Sequence, residues 1–313
     1  MEKELITPVS QKRLVSLDAF RGFTMIMLTS WAFGLYNLKD LPHVGFIANQ
    51  FTHHPWNGLY FWDLIQPLFM FIVGVAMPFS FAKRWERGET WNRTLLHVIR
   101  RSVTLFVLGL IIVCWSRRTL VWEPFDVLNH IAVAYFVAFL FMRKSIRWQI
   151  IISFVILLGY DLAYRIIPVP GVIEPWLKDN NLGVYIDKIL LGKNIGGNWN
   201  SFNVISSSVQ TMWGVIAGLV LKSSRPEYEK LKLITLGGII GVVLGLLLDP
   251  ITPIVARICS SSYTIESVGW SLLALAFFYW IVDIKGYRTW TKFMVIYGLS
   301  PIFIYSYSQL LGS

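Results

Sequence analysis

The stretch FTHHPWNGLYFWDLIQPLFMFIVG, residues 51–74, joins two adjacent histidines and an aspartate to a long apolar run. From 61 to 80 that run carries Asp63 and no other charged side chain, and it is long enough to cross a hydrocarbon layer roughly 30 Å thick as a helix. An ionisable residue at the edge of such a run rarely lacks a partner or a task. The whole chain has the same character. Its 313 residues are 55% hydrophobic and 15% charged, with a mean hydropathy of +0.56, too apolar for an ordinary soluble domain.

Runs of similar length fall at about 17–36, 98–116, 125–142, 149–167, 203–221, 232–249, 266–282 and 293–310. With 61–80 they predict an all-α, polytopic transmembrane bundle of about nine spans, read as one domain over 1–313. MEKELITPVSQKR leads into the first run with no small-residue cleavage site, so that run reads as a retained span rather than a cleaved leader. The net charge of +10 is read as a topology signal and not as a nucleic-acid surface. Basic residues cluster in alternate loops, as in Lys3, Lys12 and Arg13, then Lys83 to Arg101, then Arg143 to Arg147, and thin out in the others. That bias predicts a cytoplasmic N-terminus. Cys114 and Cys259 have no spacing signature, so neither a disulfide scaffold nor a metal site is expected.

The candidate chemistry lies where polar residues meet spans. Asp63 can orient a histidine, fixing its tautomer and raising its basicity, which leaves the other ring nitrogen to take a proton. His53 and His54 are the candidates. A zinc site from His43, His53, His54 and Asp63 lacks the usual ligand spacing. Trp56 and Asn57, within PWNG, would pin the loop, while Trp56 also suits an interfacial aromatic belt.

Asp18 and Arg21, three apart on one helical face, read equally as an internal ion pair or as a cup for a phosphorylated ligand. Asp126, Asn129 and His130 stand together at the start of a run, in FDVLNHIAVAYF; Asn129 and His130 suit either polarisation of a carbonyl or a bond between helices. Glu266 reads as a structural partner of Arg257 or as a second acid beside the histidines. The serine-rich stretch after Ser201 suits tight packing as well as a polar lining. The polar connection over 166–202 reads more as a plain connector than as a lid.

Taken together, SLDAFRG (16–22) and HHPWNGLYFWDLIQPLFMFIVGVAM (53–77) resemble the transmembrane acyltransferase superfamily, in its heparan-alpha-glucosaminide N-acetyltransferase branch. VLNHIAVAYF (127–136) is similar to that family's Val-Leu-Gln-Arg-Ile-Ala segment, with Asn129 and His130 in place of Gln-Arg, which removes a fixed positive charge. The resemblance implies acetyl transfer from cytoplasmic acetyl-CoA to an amino sugar or related glycan acceptor on the far side, with His53 rather than His54 at its centre. It implies CoA phosphate contacts from Arg21, Arg100 and Arg101, an oxyanion donor in Asn57 or His130, membrane lipid as surroundings and a bacterial inner-membrane location. Counting the runs allows 9–11 spans; members of the branch generally continue for about two more, so the chain reads as shortened or incomplete.

The residues do not choose between direct transfer and an acetyl-histidine, between N- and O-acetylation, or between monomer and homodimer. Two other classes stay open: a transporter or flippase of sugar-type substrates with Asp18, Arg21 and Asp63 along its pathway, and a non-catalytic membrane partner with the same fold.

Overall fold

The structure, a computed structural model, describes residues 14–30, 34–192 and 199–311. Lys3, Lys12 and Arg13 of the charge pattern lie outside them. Twelve α-helices carry the described chain: α1 (Val15–Thr29), α2 (Gly45–Asn49), α3 (Ile65–Glu86), α4 (Trp91–Arg117), α5 (Val127–Phe141), α6 (Ile146–Ile166), α7 (Leu182–Leu191), α8 (Val204–Lys222), α9 (Glu227–Leu248), α10 (Ser261–Phe278), α11 (Lys292–Tyr297) and α12 (Pro301–Leu311). Among the described residues, six helical segments are long and apolar enough to cross a membrane: Phe61–Glu86, Trp91–Arg117, Ile146–Ile166, Ser201–Lys222, Glu227–Leu248 and Ser261–Ile284. The protein is thus an all-α integral membrane protein.

The nine-span expectation meets two differences. The runs at 17–36 and 125–142 contain shorter helices, α1 and α5, each of 15 residues. The run at 293–310 is not one helix but two, α11 and α12, interrupted between Gly298 and Ser300. Pro301 opens α12, where its missing N–H costs nothing, and it bars Ser300 from continuing a helix. Gly298 sits against α1, and a Cβ there would lie 2.7 Å from the Gly22 backbone nitrogen. Hydropathy registers both halves as apolar and is blind to the break.

Polar backbone groups at helix starts are met locally. Asp126 caps α5 by accepting from the Leu128 N–H at 2.8 Å, and Asn181 caps α7 by accepting from Val184 at 3.1 Å. Large apolar side chains on α4, α6 and α9 stay exposed, among them Ile111, Val155 and Leu247, as expected of faces turned to lipid. The interior is close-packed around Phe20, Phe71, Val268 and Phe278, with the Phe20 and Phe278 rings stacked at 5.3 Å. The serines of α8 are packing residues: Ser206 and Thr264 share a hydrogen bond at 2.8 Å, and Gln210 donates to Ser267 at 3.3 Å, joining α8 to α10.

Candidate active site

The loop before α3 folds back on the helix start because Asp63 gathers it. In the 3-10 turn Phe61–Leu64, the Asp63 side chain is 1% exposed, and its Oδ2 accepts from the backbone N–H groups of Tyr60 (3.0 Å) and His54 (3.1 Å). Oδ1 lies 2.7 Å from His53 Nδ1. A carboxylate so committed fixes the Nδ1–H tautomer, leaving Nε2 as the basic nitrogen. The Asp63 carbonyl accepts from the Tyr263 hydroxyl of α10 at 2.6 Å. Tyr263→Phe should therefore cost about 1–2 kcal/mol of stability, since it strands a buried carbonyl, read as a lower melting temperature in detergent.

His53 opens onto a cavity of about 280 Å³ walled by Trp62, Gln66 and Phe69 of the α3 segment, Asp126 before α5, Trp199, and Tyr305 of α12. The Trp199 and His53 rings meet edge to face at 5.3 Å. Trp199 arrives on the 166–202 connection, which is thereby more than a plain connector. That connection is fastened from both sides. Trp56 donates to the Trp176 carbonyl at 2.9 Å, and the Ser201 N–H reaches the Asp187 carboxylate at 3.1 and 3.2 Å. Burial pushes the Asp187 carboxyl above the usual carboxylate range, against the opposing pull of the Ser201 N–H.

A second cavity, of about 400 Å³, follows along the same helices and is lined by Arg21, Ser80, Arg101 and Tyr135. Helices α1, α3, α5 and α12 contribute to both, and Phe69 and Leu128 line both. The two cavities thus succeed one another, with one phenylalanine and one leucine at the junction. Along α3, Gln66 and Ser80 stand roughly 20 Å apart at about 1.5 Å per residue, most of a bilayer core.

Other sequence candidates fall elsewhere. His54 packs on Tyr60 with ring centroids 4.7 Å apart and covers Gly58, whose φ of +136° and bond to the Ile254 carbonyl leave no room for a side chain. Trp56 belongs to the aromatic cluster of Tyr164 and Trp176. Asn57 is exposed and His43 lies exposed in the preceding loop. Asn129 donates to the Phe106 carbonyl at 2.7 Å and packs on Gly109, joining α5 to α4 outside both cavities.

His130 is buried behind the wall, where its Nδ1 lies 2.8 Å from the Gln66 amide nitrogen, so it touches the cavity only through Gln66. Glu266 faces Gly245 of α9 and accepts from Trp270 at 3.3 Å, and is not beside the histidines. Asp18 pairs with Arg21 at 3.5 Å. Arg101 lies over the Tyr135 ring at 4.8 Å, whereas Arg100 is exposed and lines neither cavity. Arg84 is engaged by Glu89 and His97, both at 3.1 Å.

Gln66, Asp126, Trp199 and Tyr305 complete the wall; sequence reasoning singled out Asp126 by its position without a role and passed over the other three. For Gln66 a signal existed, because it follows Asp63 by three and shares its face.

A family model described as heparan-alpha-glucosaminide N-acetyltransferase, catalytic, matches residues 13–181. The chain belongs to this family. It is 26% identical to the heparan-alpha-glucosaminide N-acetyltransferases of Mus musculus and Homo sapiens over 95% and 94% of its length. It spans about half the length of these curated relatives, 53% and 52%. The family match takes in His53, Asp63, Gln66 and Asp126, together with Arg21 and Arg101. Trp199 and Tyr305 lie beyond it, so two walls of the His53 cavity come from the part of the chain that the family model does not cover.

Proposed function

We propose that the protein is a membrane acetyltransferase that takes acetyl-CoA at the Arg21–Arg101 cavity and delivers the acetyl group to an amino-sugar acceptor in the His53 cavity. One observation carries this reading: a histidine oriented by a buried carboxylate opens onto a cavity that abuts an arginine-bearing one along four shared helices. Guanidinium groups suit CoA phosphates, and the thin pantetheine arm suits passage between Phe69 and Leu128.

In the transfer, the acceptor amine attacks the thioester carbonyl carbon. His53 Nε2 takes a proton from the nitrogen as the C–N bond forms, the C–S bond breaks, and the proton is returned to sulfur to release CoA as its thiol. Asp63 keeps the imidazole in the receptive tautomer and stabilises its charged form. The Gln66 amide, held by His130, has a second N–H for the developing oxyanion, a role the sequence had suggested for Asn57 or His130. With the N-terminus cytoplasmic, the donor enters from the side of the basic loops and the acceptor from the opposite face.

The deciding experiment incubates purified protein with radiolabelled acetyl-CoA and glucosamine. Wild type should transfer label, and His53→Ala should lose at least about 10³-fold in rate. Equal rates in both would remove His53 from the chemistry. Flux of glucosamine across vesicles in the absence of any acyl donor would favour the transporter reading instead.

A further inference from the structure

The His53 cavity is lined by two carboxylates, and their partners differ. Asp63 spends Oδ1 on His53 and Oδ2 on two backbone N–H groups. Asp126 accepts from the Leu128 N–H on Oδ1 at 2.8 Å and from the Tyr305 hydroxyl on Oδ2 at 2.7 Å, with the Val127 N–H as a further backbone donor. A carboxylate offers about four acceptor positions, so Asp126 keeps capacity for further donors. Among the described residues no lysine or arginine lines this cavity, whose remaining polar side chains are His53, Gln66, Tyr305 and Gln309. The N-terminus of α5 offsets part of the Asp126 charge, yet no lysine or arginine among the described residues faces it from the other walls.

The apolar surface is equally selective. Trp62, Trp199 and Phe125 line it, and aromatic rings attract cations and cover the C–H face of a sugar ring. A volume of about 280 Å³ lies at the small end of ligand sites, suiting one ring or one chain end rather than an oligosaccharide.

We infer that Asp126, held in place by Tyr305, is a specificity-determining residue that selects acceptors bearing an ammonium group and rejects anionic ones. This rests on the acetyl-transfer reading for its meaning but concerns binding, and it can be tested without turnover. An ammonium docked on Asp126 releases one proton to bulk water before attack. Asp126 is thus the group that recognises the acceptor and His53 the group that moves its proton. The alternative is purely structural: Asp126 caps α5 and ties α12 to it through Tyr305. That role affects stability and leaves ligand preference untouched.

The test measures binding of glucosamine, glucose and glucuronate to the full chain in nanodiscs by calorimetry, for wild type, Asp126→Asn and Tyr305→Phe. The amide oxygen of Asn can still cap α5, so the variant keeps its helix start. Wild type should prefer glucosamine over glucose by about 30-fold or more, and Asp126→Asn should bring the two within about threefold, as expected when a charge partner is removed. Tyr305→Phe, which frees Oδ2 but loosens the carboxylate, should reduce the preference by a smaller factor, and CoA binding at the other cavity should be unchanged in both.

A wild type that does not distinguish glucosamine from glucose, or that binds glucuronate best, overturns the inference. So does an Asp126→Asn protein that melts earlier while keeping the full preference. If wild type prefers glucosamine through Asp126 but transfers no acetyl group, the inference stands and the catalytic reading falls.

Discussion

Asp63→Asn should lower acetyl transfer by about 10³- to 10⁴-fold while leaving the protein folded and able to bind CoA, the size of loss seen when a histidine is held in the wrong tautomer. The geometry makes this substitution unusually clean. Oδ2 accepts from two backbone N–H groups, those of Tyr60 and His54, so an asparagine satisfies the loop only by placing its carbonyl oxygen there. Its NH₂ then points at His53 Nδ1, where the carboxylate oxygen had been. Nδ1 must now accept, the proton moves to Nε2, and the nitrogen facing the cavity becomes a donor with no basic lone pair.

Asp63→Ala tests something else. It strands the two buried N–H groups, each at a cost of about 1–3 kcal/mol, and confounds folding with catalysis. Single-turnover label transfer from acetyl-CoA, with CoA affinity measured alongside, separates these outcomes. An Asp63→Asn protein within tenfold of wild type would mean that the imidazole is not the base.

The pairing of His53 with Asp63 was legible because both residues lie in one short loop ahead of a helix, ten positions apart, where few other partners are available. The rest of the wall was not. Tyr305 meets Asp126 across 179 positions, and no local pattern encodes that meeting; the helices bring it about by packing. Arg100 and Arg101 show the limit at finer scale. They are adjacent in sequence, so about 100° of helical rotation separates them, and only Arg101 faces the cavity. Which one does so depends on the face of α4 that packs on α5, and Asn129 fixes that face by reaching the Phe106 carbonyl.

Asn129 itself had two sequence readings, and the structure places it in the bond between helices. Glu266 also had two readings, and the one that set it beside the histidines fails. Tyr263, one turn earlier on the same helix, touches Asp63, yet Glu266 lies on a different face, against α9. Hydropathy likewise located apolar runs well and continuity poorly, as the break at Gly298–Ser300 shows.

Gly74→Leu should prevent the site from forming at all. At the crossing of α3 and α8 a Cβ on Gly74 would lie 2.1 Å from the Thr211 carbonyl oxygen, and one on Gly214 would lie 2.2 Å from that of Phe71. These obstacles are backbone, so no rotamer change relieves them, and the helices must separate. Because α3 carries Gln66 and Phe69 on the cavity side and follows directly from Asp63, separation at Gly74 displaces the floor beneath His53. The expected cost is about 3 kcal/mol or more, the upper range for overpacking, read as loss of a monodisperse peak and of thermal protection in detergent.

Gly159→Ala provides the contrast. Gly159 is exposed on α6 with nothing within 4 Å of a Cβ, and replacing a mid-helix glycine there should gain up to about 1 kcal/mol. If both substitutions were tolerated alike, close approach of α3 and α8 would not be what holds the cavities in line, and the route from Arg101 to His53 would need another support. The same crossing sets the wall between the two cavities: with α3 drawn tightly to α8 on one side, Phe69 packs with Leu128 of α5 on the other, and these two side chains line both cavities.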